Sequence, residues 1–387
     1  MKKNLIFVIG SLNLGGTERH LASLLPRLAA KGWSVQVLTL ADRGILADAL
    51  EKEGILVNCV LKDWHTQIKG RLPSLMGRLL QSVVCVCSLS SRLKVEKNAI
   101  IHFFLPEAYI LGMFSAMLAR FPGSKIMSRR SLNHYQQRRP LLGWIESKLH
   151  SKTTAISGNS LAVLKQLEEE KIPLAHLRLI YNGVDTEQFH SAQSRVDTRK
   201  KLKIEKDALV IIMVANLIPY KGHRDLFNAL YQVKHSLPTG WRLLCVGQDR
   251  NDGFQVELIS LTKELGLTEN VLLLGSRNDI PDLLLSADIG VLCSHEEGFS
   301  NAVLEGMAAG LPMVVTNVGG NAEAILDKET GYVVEPRNPK ALAAAIIGLV
   351  ENPEIRSKFG RKAKQRVEQH FSWGACVKAY ETLYENA

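Results

Sequence analysis

The chain has 387 residues, 46% hydrophobic and 22% charged, which excludes a disordered or fibrous protein and allows two domains of ordinary size. Its six cysteines include no CxxC pair, so a zinc site is not expected and free thiols in a reducing compartment are. The net charge of +10 belongs to the first half: residues 1–185 hold 25 basic and 13 acidic residues, and residues 186–387 hold 23 and 25. Such a half either draws anionic partners or is a solvated basic face.

The first apolar run, 5–9, reads as a strand and is too short for a signal-peptide core. It leads into Gly10-Ser11-Leu12-Asn13-Leu14-Gly15-Gly16-Thr17-Glu18, a glycine turn before a helix that lacks the G-x-G-x-x-G spacing of a dinucleotide fold. Strands are predicted next at 35–40 and 56–61. A basic stretch follows (Lys69, Arg71, Arg78, Arg92, Lys94, Lys97), in which Leu72, Leu75, Met76, Leu79, Leu80 and Val83 recur at helical spacing. That pattern fits a core-facing helix, and equally a basic amphipathic helix resting on anionic lipid. Strand 99–104 carries His102, which is either a catalytic candidate or a core histidine satisfied by its neighbours. The longest apolar run, 103–121, is broken by Pro106 and Glu107, so no transmembrane helix is predicted and a cytoplasmic protein is expected, in contact with the inner membrane face if the basic helix binds lipid. Strands at 125–128, 153–156 and 179–181 complete the half, with Arg129, Arg130, Arg138 and Arg139 as a second basic cluster. Residues 186–206, polar and without apolar period, read as a linker.

The pattern then restarts. Strand 210–214 leads into Asn216-Leu217-Ile218-Pro219-Tyr220-Lys221-Gly222-His223, where Lys221 precedes a helix start and can reach a phosphate. Strands 242–246 and 271–274 follow, the latter ending in a loop with Arg277. After strand 289–293 comes Ser294-His295-Glu296-Glu297-Gly298-Phe299-Ser300-Asn301-Ala302-Val303-Leu304-Glu305, running on to Gly310 and Pro312. Ser300 or Asn301 can cap a helix that Gly310 and Pro312 end. A helix start offers amide N–H groups and partial positive charge, which suit a diphosphate, and Gly298 lets a ligand approach the backbone. Strands 313–316 and 332–334 follow, and 353–386 reads as helix with a break near Ser372-Trp373-Gly374. Strands alternating with helices, many without polar alternation, predict two doubly wound parallel α/β domains facing each other across a cleft.

Glu297 and Glu305, with seven residues between them and the Gly-Phe-Ser-Asn-Ala-Val-Leu context, resemble the E-x7-E segment of glycosyltransferase family 4 (group 1 glycosyltransferases). The resemblance implies a GT-B fold: residues 1–185 bind the acceptor, 207–365 bind the nucleotide sugar, and a C-terminal helix, 366–387, packs back toward the first domain. It implies a retaining transfer of a sugar from a UDP- or GDP-sugar to a saccharide or lipid-linked acceptor, within surface-polysaccharide synthesis such as that of lipopolysaccharide. Glu297 would bond donor-sugar hydroxyls and Glu305 ribose hydroxyls. Lys221 would meet the diphosphate, Gly298, Phe299, Ser300 and Asn301 the donor, and Gly15 and Gly16 the donor phosphates from the first domain. Arg277 would lie near the base, and His102 matches a position where relatives often place histidine. Asn216 departs from the family pattern, which has arginine there and so leaves more of the charge to Lys221. No Asp-x-Asp pair that could bridge a metal to a diphosphate occurs, so no metal or other cofactor is expected, nor is nucleic acid a partner. A nucleotide-sugar 2-epimerase and a non-catalytic nucleotide-sugar-binding protein are the alternatives. A glycoside hydrolase is disfavoured: a loop plus a helical turn separates the glutamates by roughly 8–12 Å, against ~5–5.5 Å for a retaining pair.

Overall fold

The computed structural model describes residues 4–13, 15–62, 74–132, 136, 139–189 and 192–387. The chain divides into two units, Met1–Asn182 with Cys376–Ala387, and Gly183–Ala375.

Among the described residues the first unit holds a seven-stranded sheet of β1 (Asn4–Ile9), β2 (Ser34–Thr39), β3 (Leu56–Cys59), β4 (Ala99–Phe104), β5 (Lys125–Arg129), β6 (Ala155–Gly158) and β7 (Leu177–Leu179), in the order β3-β2-β1-β4-β5-β6-β7. All its pairings are parallel, so each crossover runs over a sheet face and both faces are covered. The apolar runs follow from this: every residue of β4 is buried. Side chains alternate between two cores. Ile6, Val8, Ile101 and Phe103 join Leu89, Tyr109 and Met113 on one face. Phe7, His102 and Phe104 meet on the other, where Tyr380 and Tyr384 of the helix Trp373–Glu385 cover them.

The second unit holds a six-stranded parallel sheet of β8 (Val210–Val214), β9 (Arg242–Val246), β10 (Val271–Leu273), β11 (Ile289–Leu292), β12 (Met313–Thr316) and β13 (Gly331–Val334), in the order β10-β9-β8-β11-β12-β13. Each of the predicted strands is present to within two residues, and the break in the final helical segment falls between Pro353–His370 and Trp373–Glu385.

Three sequence expectations need correction. Residues 186–206 are not a bare linker: they fall in the second unit and include the helix Ala192–Lys201. Arg199 on that helix is buried, donating to Asp288 and to the carbonyls of Ser286, Lys206 and Ala208. The predicted apolar stripe lies on the helix Ser74–Leu93, but Met76, Leu79, Leu80 and Val83 are exposed, and the core takes Cys85, Leu89 and Leu93 instead. Arg129 is not a surface cation either. It is 2% exposed, donates to Glu146 at 2.7 Å, and is paired with Glu170. Lys69, Arg71, Leu72 and Arg138 lie outside the described residues.

Candidate functional site

In open parallel sheets ligands bind beyond the carboxyl ends of the strands, where the strand order reverses. In the second unit that point lies between β8 and β11. The loop after β8 delivers Asn216–Gly222 into the helix His223–Val233, and the loop after β11 delivers Ser294–Ser300 into the helix Asn301–Ala308.

These two loops are joined side to side. The His295 amide donates to the Tyr220 carbonyl at 2.7 Å, and the His295 ring bonds Asp225 at 2.7 Å. Lys221 Nζ donates to Glu297 Oε1 at 2.6 Å, and Ser294 Oγ donates to the same oxygen at 2.8 Å. Both members of the ion pair are partly open to solvent, the lysine side chain 18% and the glutamate 11% exposed. Two glycines make the approach possible. Gly222 has φ +82°, and a Cβ there would meet the Cys293 carbonyl oxygen at 2.0 Å. Gly319 has φ +51°, and a Cβ would meet the Glu297 carbonyl oxygen at 2.0 Å. Only glycine combines left-handed backbone with such contact. The Gly320 amide donates to the Gly298 carbonyl at 2.8 Å, so the Val318–Gly320 turn braces the glutamate loop.

The helix start is as expected: Ser300 is the N-cap, its Oγ accepting from the Val303 amide. Asn301 opens the helix and Glu305 sits one turn on, both partly exposed. The two loops thus bring a cation and a carboxylate into contact just before the positive end of a helix. Such a set can stabilise an anionic leaving group and orient hydroxyls.

Other candidates fare differently. Phe299 is buried against Phe371, ring centroids 5.4 Å apart, so its side chain fixes the loop rather than facing a ligand. Asn216 accepts from the Gln248 amide at 3.1 Å, which ties the loop to the end of β9. Arg277 is paired with Asp279 at 2.6 Å, with no bond to the Lys221–Glu297 pair among the described residues. In the first unit, Gly15 caps the helix Gly16–Ala30 in extended backbone, and the Glu18 carboxyl folds over it. Burial raises the Glu18 pKa, although its own backbone amide and Arg130 oppose this. His102 cannot act on a substrate: it is 0% exposed, and its ring nitrogens bond Tyr384 at 2.8 Å and Ser128 at 2.7 Å. The core-histidine reading is the correct one.

Sequence reasoning missed His295 with Asp225, and it missed His223. The only signal was a histidine beside each motif. His223 is fully buried, and neither ring nitrogen makes a hydrogen bond of normal geometry among the described residues. Burial and the nearby Lys221 lower its pKa to about 4, partly opposed by the Ala215 carbonyl. Between its ordinary value of 6.5 and this lowered one, the unfolded chain takes up a proton that the folded chain refuses. Stability from this group is therefore complete above pH 6.5 and falls as the pH drops toward 4, by about 3 kcal/mol in all. His223→Leu is expected to flatten that part of the stability–pH curve in urea titrations. An unchanged slope would mean that His223 titrates normally.

Two family models match the chain in succession. "Glycosyltransferase Family 4" covers residues 14–188 and "Glycosyl transferases group 1" covers residues 194–366. Among curated proteins, an Escherichia coli UDP-Gal:alpha-D-GlcNAc-diphosphoundecaprenol alpha-1,3-galactosyltransferase is 26% identical over 79% of this chain and 80% of that enzyme. The Bacillus anthracis N-acetyl-alpha-D-glucosaminyl L-malate synthase is 27% identical, over 60% of each chain, so that match spans three fifths of its length. Among solved structures, Anabaena HepE in complex with UDP and glucose aligns over 100% of both chains at TM-score 0.86 and 21% identity. The lipopolysaccharide glycosyltransferase WaaG aligns over 98% of this chain and 99% of its own at TM-score 0.75 and 19% identity. At these identities the likeness is one of fold, and the fold is GT-B.

Proposed function

Because this chain belongs to the group 1 glycosyltransferases, we propose that it moves a sugar from a nucleotide-diphosphate sugar to a saccharide or lipid-linked saccharide acceptor. The observation that carries this reading is the 2.6 Å Lys221–Glu297 pair beside the Ser300-capped helix, at the switch point of the second sheet. On donor binding the lysine turns to the diphosphate and the carboxylate is released to the sugar hydroxyls. Glu305 takes the ribose hydroxyls, and Asn301 with the Gly298 backbone borders the phosphates. Lys221 and the helix start offset charge as the nucleoside diphosphate leaves. UDP is the favoured nucleotide, supported by UDP in the HepE complex and UDP-Gal in the name of the E. coli relative. The diphosphoundecaprenol in the name of that relative and the lipopolysaccharide role of WaaG support a place in surface-polysaccharide synthesis. No helix among the described residues is long and apolar enough to cross a membrane.

The anomeric configuration is retained, the acceptor attacking from the face that the diphosphate leaves. Product NMR tests this, and an inverted linkage refutes it. Transfer needs no divalent metal; full loss of activity in chelator, restored by magnesium or manganese, would contradict that. The reading as a whole is tested by screening UDP- and GDP-sugars by thermal shift, since a ligand that binds the native state raises the melting temperature. At least one should do so and be consumed only with acceptor, and Glu297→Ala should lose turnover. Donor consumption without acceptor, or full activity of Glu297→Ala, would refute it.

A further inference from the structure

We propose that the cavity at the amino ends of β8 and β11, in the second unit, binds a dianionic phosphate group, free or as the monoester of a small molecule, apart from the donor site.

The cavity encloses about 400 Å³. Ala208 and Leu209, just before β8, and Asp288, just before β11, line it. It therefore lies at the opposite end of these strands from the loops that carry Lys221 and Glu297. The five residues of β8 alone put roughly 16 Å of strand between the two ends.

Four cations line the cavity: Arg195 and Arg199 on the helix Ala192–Lys201, Lys206 in the loop that follows, and Arg356 on the helix Pro353–His370. Two carboxylates, Asp207 and Asp288, join them. Two positive charges are left over, although residues 186–387 as a whole hold more acidic than basic residues. The excess is local.

Part of the cluster has a structural task. Arg195 and Arg199 stand astride one carboxylate, donating to Asp288 at 2.6 and 2.9 Å, and each also donates to backbone carbonyls, which pins the helix to the sheet. Burial lowers the Arg199 pKa, and repulsion from Arg195 adds to this against the pull of Asp288. Pinning does not account for Lys206 and Arg356. Among the described residues neither is ion-paired, and Arg356, half-buried, donates only to the Leu349 carbonyl at 3.4 Å. The helix Pro353–His370 also borders the cavity with Pro353, at its amino end, and its N-cap Asn352 makes no side-chain bond to the helix amides, so partial positive charge adds to the excess.

A phosphate monoester carries about −1.5 to −2 charges near pH 7 and three acceptor oxygens. That charge matches the excess. The Arg195 guanidinium, fixed by Asp288 and with its side chain 39% exposed, keeps N–H groups for the oxygens beyond the three bonds it makes. Pro238 and Val350 supply apolar wall for the body of an ester.

Calorimetric titration of the full chain, with UDP in excess to fill the donor site, tests this with inorganic phosphate, glycerol 3-phosphate and glycerol. At least one of the two phosphates should bind more tightly than glycerol, and the tighter of them identifies the source of the group. Lys206→Gln/Arg356→Gln should weaken that binding by about tenfold or more, since two charge-assisted bonds are lost, and Lys221→Ala should leave it unchanged. Asp207→Asn should tighten it by about two- to fivefold through loss of one exposed negative charge, a gain that misfolding cannot imitate. Phosphates binding no more tightly than glycerol, or binding that disappears in Lys221→Ala and survives in the double variant, would overturn the inference. Failure of every nucleotide sugar to bind would instead overturn the donor site, because the phosphate result is read on Lys206, Arg356 and Asp207.

Discussion

Lys221→Ala is expected to lower kcat for sugar transfer by about 10²–10³, the usual effect of removing one preorganised donor to developing negative charge. The lysine sits at the end of a loop held down by Gly222, whose backbone touches Cys293, so its ammonium is delivered rather than freely hinged. Asn216 adds no second cation beside it, and its side-chain oxygen is already bonded to Gln248. The substitution frees Glu297 from its 2.6 Å partner but leaves it the Ser294 hydroxyl, so the fold should survive. Steady-state kinetics with a matched melting curve checks this. A loss under tenfold in a folded variant would show that the lysine serves structure alone.

Arg129→Met is expected to destabilise the first unit by about 3–5 kcal/mol, because it strands carboxylates that are paired inside the protein. Arg129 is the centre of a buried cluster: it bonds Glu146 at 2.7 Å and Glu170, while His150 lies 3.3 Å from Glu170 and bonds the Tyr109 hydroxyl. Burial raises the Glu170 pKa, but bonds from His150 and Arg129 outweigh it and bring the carboxyl down to about 2. A depressed carboxyl stabilises the fold above its unfolded value near 4.5 and loses that contribution as the pH falls toward 2. The wild type should therefore lose stability across this acid range, and the variant should show a smaller change on a lower baseline. Urea unfolding followed by fluorescence at several pH values measures both. The unfolding of two units need not be a single transition, so the curves are fitted to two steps. An Arg129→Met protein as stable as the wild type would contradict the cluster's role.

The strands were legible because sheets buried on both faces demand unbroken Val, Ile and Leu, as in Val210–Val214 and Met313–Thr316. The capped helix start was legible too, since Ser300 and Gly310 act locally. What failed depended on partners distant in sequence. The polar run around Arg199 reads as a solvated linker, yet its guanidinium is spent on Asp288 and four carbonyls. His102 invites a catalytic role until Tyr384, 282 residues away, takes one of its nitrogens. The spacing of Met76, Leu79 and Val83 shows that they share a helix face, but periodicity cannot tell whether anything covers that face, and here they are exposed. Lys221 and Glu297, 76 residues apart, were brought together by family resemblance; the geometry adds that they touch.

The most direct test of the donor site is a crystal structure of the chain with UDP or GDP bound. The β-phosphate should lie within hydrogen-bonding distance of Lys221 Nζ, beside the amides that open the helix Asn301–Ala308, with the Lys221–Glu297 contact broken. A nucleotide seated away from this loop, with that ion pair intact, would contradict the assignment.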